Sequence, residues 1–127
     1  MQEKHLYEYA VIRILPVVER EEFLNAGIVL FCKKMDFIKV YFKIDETKLR
    51  LFSKELDLDQ VKLNLESFEN IAKGTEKCGP IALMDVASRF RWLTAVRSSV
   101  IQTSRPHPGL TTDLEQTVKR LFEELVL

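Results

Sequence analysis

Apolar and polar residues alternate singly over the first third of the chain and then change to a period of three to four. In "YEYAVIRIL" (7–15), Ala10, Ile12 and Ile14 alternate with Tyr9, Val11 and Arg13, the period of two of a strand with one face in a core. Pro16 cannot donate to a ladder and marks the strand end. The charged stretch "EREE" (19–22) reads as a connection with room for one helical turn. In "FLNAGIVLFCKK" (23–34) the run Ile28 to Phe31 is apolar on both faces, as a central strand covered on both sides would be. Gly27 in that run predicts a bulge or a close backbone approach. After the turn "KKMD", Ile38, Val40, Phe42 and Ile44 point one way while Lys39, Tyr41 and Lys43 point the other. The three segments predict an antiparallel meander.

The middle of the chain is helical in pattern. A short helix over 45–56 would pack Leu49, Phe52 and Leu56. From Leu58, the residues Val61, Leu65, Phe68 and Ile71 form one face of an amphipathic helix, with Asp57 as N-cap and Gly74 as its stop. Residues 74–80 read as a loop and 81–93 as one further helix with Pro80 near its first position. "SSVIQTS" (98–104) predicts a fourth strand. "RPHPGL" (105–110) should be irregular, because two prolines and a glycine fall close together. In the last helix Thr112 and Glu115 form a capping box, and Leu114, Val118, Leu121, Phe122 and Leu125 make the buried stripe. The pattern therefore predicts one α+β domain over 1–127: an antiparallel sheet of about four strands, the meander plus one later strand, packed with about four helices.

Composition narrows the function classes. The 127 residues are 46% hydrophobic and 30% charged with a formal net charge of zero, so no global field draws the chain to nucleic acid or to anionic lipid. The longest apolar run, "GIVLFC" (27–32), is far too short to cross a bilayer, and the charged "MQEKHLYEY" is unlike a signal peptide. Cys32 and Cys78 lack metal-ligand spacing and read as reduced thiols of a cytoplasmic protein.

Charge is nevertheless uneven along the chain. Of eight arginines, Arg89, Arg91, Arg97 and Arg105 fall within residues 88–108, which contain no lysine, aspartate or glutamate. Arginine's planar fork suits phosphate or carboxylate, and Phe90, Trp92 and nearby hydroxyls complete the composition of an anion pocket. Structural pairing of the arginines with acidic helices and core packing of Trp92 stand against that reading and are the favoured account of the same residues. On a helix Arg89 and Arg91 would lie about 200° apart, and only an extended 88–94 would put them on one side. A second candidate cluster is Tyr7, Tyr9, Arg13, Arg20, Glu22 and Asn25, against which stands a buried Arg13–Glu22 pair that merely locks the hairpin. His5 reads as a solvated tail residue. His107, in a proline-bracketed loop, forms with Asp113 the one acid–base pair worth naming. A metal site is not expected from one useful histidine and no cysteine cluster, the sequence holds no phosphate-cradling loop or nucleophile elbow, and the cofactor, if any, stays unknown.

The run "YEYAVIRILPVVEREEFLNAGIVL" fits Tyr-x-Tyr-x-x-x-Arg-x-x-Pro followed by Arg-x-Glu-Phe-x-Asn-x-Gly, and "SRFRWLTAVRSSVIQTSRPHPGLTTDLEQTVKRLFEELV" supplies a second block. Both resemble a bacterial family known as domain of unknown function 3037, across nearly the whole chain except 45–80. The chain departs from the family pattern at Val96 and Arg105. The resemblance carries no activity. It implies a small protein encoded beside kinase-like proteins of the HipA type, and it singles out Tyr7, Tyr9, Arg13, Arg20, Glu22, Asn25, Arg89, Arg91, Arg97 and His107. The leading expectation is an interaction or regulatory module with a HipA-like kinase as partner. The alternative is a small phosphate-directed enzyme or nucleotide binder in which both blocks converge on one cleft. Direct nucleic-acid binding would need a longer basic stripe.

Overall fold

The computed structural model describes residues 3–74, 79–95 and 99–127. Five strands and four α-helices form an α+β fold: β1 (His5–Ile14), β2 (Leu24–Cys32), β3 (Phe37–Phe42), α1 (Glu46–Phe52), α2 (Leu58–Lys73), α3 (Val86–Leu93), β4 (Ile101–Thr103), β5 (His107–Thr111) and α4 (Leu114–Leu125). The sheet runs β3-β2-β1-β4 and is antiparallel, with β5 also pairing β1.

The predicted meander is there, with β2 central and almost wholly buried. The ladder shifts register between Ile12↔Gly27 and Arg13↔Asn25, so Ala26 is the extra residue of a bulge. Gly27 also makes the close approach: a Cβ there would run into the Tyr41 carbonyl and sit 2.9 Å from the Phe42 Cβ.

Two cores lie on opposite faces of this sheet. Ala10, Ile12, Ile14, Val29, Phe31 and Val40 face α2 and α3, where they meet Val61, Leu65, Phe68 and Phe90. Phe31 and Phe90 stack with ring centroids 4.7 Å apart. On the other face Tyr7, Val11, Ile28, Leu30 and Cys32 pack under Leu114, Val118 and Leu121 of α4. Cys32 is a buried free thiol, and Cys78 lies outside the described residues.

Several local expectations are corrected. The helix expected over 45–56 stops at Phe52, and Leu56 packs on the core from the following turn. The helix expected over 81–93 is two pieces, a 3-10 turn at Pro80–Leu83 and then α3, because the Asp85 side chain accepts from the Ser88 amide at 2.7 Å and starts a new helix. The last helix is capped by Asp113, which accepts from the Gln116 amide, rather than by Thr112. His5 belongs to β1, opposite Thr111, instead of a loose tail.

The largest correction concerns 105–110, which contributes the edge strand β5. Pro108 is tolerated there because an edge strand needs only alternate donors. β4 and β5 share one edge of β1, along Ile12–Ile14 and His5–Tyr9 respectively. Ser104 bridges the break: its amide donates to the Val11 carbonyl and its Oγ accepts from the Val11 amide, both at 2.9 Å. No helix among the described residues is long and apolar enough to cross a membrane.

Candidate functional site: the sheet face beside α4

Residues 88–94 are helical in all but their last position, Thr94, which closes the helix. The two arginines therefore separate by about 200°, as a helical step requires. Arg91 is exposed in the last turn of α3. Arg89 instead packs at the C-terminal end of α2, so close to Gly74 (φ 77°) that a Cβ there would strike its Nη1. A cation suits the negative end of that helix. Phe90 is core. Trp92 lines a groove of about 310 Å³ with Asn64, Ser67, Phe68, Ser99 and Gln102, and neither Arg89 nor Arg91 does. Arg97 lies outside the described residues.

The N-terminal cluster fares differently. Alternation along β1 puts Tyr7, Tyr9, Val11 and Arg13 on the α4 face. The β5 register then brings His107 beside Tyr9 and Gly109 beside Tyr7. The Tyr9 and His107 rings are 5.3 Å apart, and the Tyr7 and Tyr9 rings 6.3 Å. Gly109 has no side chain where the Tyr7 ring lies, which is how Tyr7 becomes buried. His107 is exposed and Tyr9 is half-buried.

Four residues further along β1, roughly 13 Å at strand rise, Arg13 is flanked by Asn25 on β2 and Gln102 on β4. Its guanidinium carbon sits 4.1 Å over the Phe23 ring. The expected Arg13–Glu22 pair is not formed: Glu22 takes Arg20 at 2.6 Å, both exposed. Arg13 makes no ion pair among the described residues, and its Nε is buried without a hydrogen-bond partner. Asn25 donates through Nδ2 to the Leu125 carbonyl at the end of α4, 3.1 Å away, while its Oδ1 is buried and unpartnered.

His107 and Asp113 are not brought together. His107 sits at the start of β5 against Tyr9, and Asp113, beyond its far end, spends its carboxylate on capping α4. Among the described residues no three His, Cys, Asp or Glu side chains group as a metal site would.

Sequence reasoning missed Gln102 and Gly109, counted Ser104 only as a hydroxyl donor of the arginine cluster, and gave Phe23 no role beyond its place in the Arg-x-Glu-Phe pattern. That pattern was the usable signal for Phe23, which immediately precedes β2. The others depend on which residues of 101–111 lie against β1, a register that local pattern does not encode.

The chain belongs to the family described as protein of unknown function (DUF3037), which it matches over residues 9–126. No curated protein and no solved structure matches it.

Proposed function

We propose that the protein is a cytoplasmic interaction module that binds a partner protein on the part of the sheet face beside α4, through Tyr9, His107, Arg13 and Phe23. One observation carries this reading. Residues from the two halves of the chain assemble aromatic rings and a guanidinium without an ion pair on one sheet face, while Asp113, the acid expected beside His107, is spent on capping α4. Tyrosine and arginine dominate the energetics of protein interfaces because they bring large, rigid contact area and forked hydrogen bonding. Phe23 is 43% exposed, unusual for a phenylalanine in a monomer's surface. The partner implied by the family resemblance is a kinase-like protein of the HipA type, and it is the first to test.

The experiment measures the Kd for such a kinase from the same source with the intact chain, with Tyr9→Ala, with His107→Ala and, as a control on the opposite side of the molecule, with Leu63→Ala. Tyr9→Ala should weaken binding about tenfold or more, with the fold and the control variant unaffected. Equal Kd values for Tyr9→Ala and Leu63→Ala would refute this surface.

A further inference from the structure

Among the described residues Arg13, on the α4 face, makes no ion pair, and its buried Nε has no hydrogen-bond partner. None of its nearest acidic neighbours in sequence, Glu8, Glu19, Glu21 and Glu22, forms an ion pair with it, and Glu22 is held by Arg20. A partly buried guanidinium without an acceptor is unfavourable until an acceptor arrives. Its surroundings say which acceptor. Phe23 covers a face of the guanidinium, so acceptors approach in the plane of the fork. Its register partners, Asn25 on β2 and Gln102 on β4, are both uncharged, and the Gln102 amide is spent on the Ser99 carbonyl. The helix end nearest to Asn25 is the C-terminus of α4, whose Leu125 carbonyl it binds, and that end carries partial negative charge. Glu123 and Glu124 precede that carbonyl in sequence, with Glu124 paired to Arg120.

We infer that Arg13 is a receptor for a single carboxylate, an aspartate or glutamate side chain of the bound partner. A planar, singly charged group matches one guanidinium fork. A phosphate dianion needs more positive charge than one arginine offers beside the negative end of a helix and several glutamates. The arginine packed on Phe23 is held in place before the ligand arrives, which reduces the side-chain entropy lost on binding. This inference rests on the interaction surface proposed above.

The test follows the arginine Nε–H resonances of the intact chain by NMR during titration with sodium acetate, with inorganic phosphate and with sodium chloride at matched ionic strength. Arg13→Lys, which keeps the charge and removes the fork, identifies the Arg13 resonance by its loss. The expected result is a saturable shift of that resonance by acetate at lower concentration than by phosphate, with chloride inert. Phosphate acting at equal or lower concentration would overturn the carboxylate assignment, and so would a resonance that moves no more than in chloride. Either result combined with a weakened Tyr9→Ala complex would remove the ligand class and leave the interaction surface standing. An acetate shift with an unweakened Tyr9→Ala complex would do the reverse.

Discussion

The sheet has two faces built from the same three strands, and they are finished differently. Under α2 and α3 the buried side chains are all apolar, aliphatic residues with Phe31, Phe68 and Phe90 among them. Under α4 the buried aliphatic residues of β2 continue into rings, Tyr7, Tyr9 and Tyr41, and the β1 edge ends in Arg13. Helices of 16 and 8 residues lie over the first face, and one helix of 12 over the second. The closed face holds the fold together, and the half-covered one has polar tips to present. Buried polar atoms without a hydrogen-bond partner occur on both sides, Arg13 Nε and Asn25 Oδ1 on the second face and Arg89 Nε on α3, so what sets the second face apart is its rings and its partial cover.

Truncation at the closed face should have the largest effect. Phe90→Ala, which removes a ring buried against Phe31, should destabilise the protein by about 3–5 kcal/mol in urea unfolding. A loss below about 1 kcal/mol would show that this face is less tightly filled than described. The same glycine-to-alanine change then compares the faces directly. At Gly27 the new methyl meets backbone of β3, which cannot move without breaking the ladder, and the cost should be about 1–3 kcal/mol. At Gly109 it meets the outer end of the Tyr7 ring, which can swing toward the half-covered side, so the cost should stay under about 1 kcal/mol. Equal costs would mean that Tyr7 is as immobile as the β3 backbone.

The smallest effect belongs to pH. Hydrogen bonds from the Ser88 hydroxyl and amide hold the Asp85 carboxyl below its ordinary value. The folded group is more acidic than the unfolded one, so its support of α3 is full above about pH 4 and fades as pH falls through the lowered value. Thermal melts between pH 7 and pH 2.5 should show a small acid-side loss that Asp85→Asn diminishes. The intact protein and the variant losing stability in parallel would deny Asp85 that role.

Much of this fold can be read from the chain. The alternation at Ala10, Ile12 and Ile14 against Tyr7, Tyr9 and Val11 placed both sets on their observed faces, because side-chain direction along a strand is a local property. The stripe Val61, Leu65, Phe68 and Ile71 and the stop at Gly74 are equally local and match α2. The interruption at Met84 was not legible, since the apolar pattern runs across it and only the Asp85 cap shows that the helix begins again. β5 was hidden by Pro106 before it and Pro108 within it, which argue against a central strand and say nothing against an edge. For the site, the sequence proposed the β1 residues and His107 separately. It paired His107 with Asp113 by nearness in the chain, whereas the fold pairs it with Tyr9, 98 residues earlier.

By itself, then, the sequence determined the type and facing of each long element, the absence of a strong net charge and the residues with chemical capacity. The tertiary structure decided which of those residues meet. It sent Arg89 to the end of α2, gave Glu22 to Arg20 and left Arg13 on Phe23. The physical reason is that periodicity sets where a side chain points within about a turn or two of chain. Its neighbours across the sheet follow from register and edge order, which the whole core selects at once.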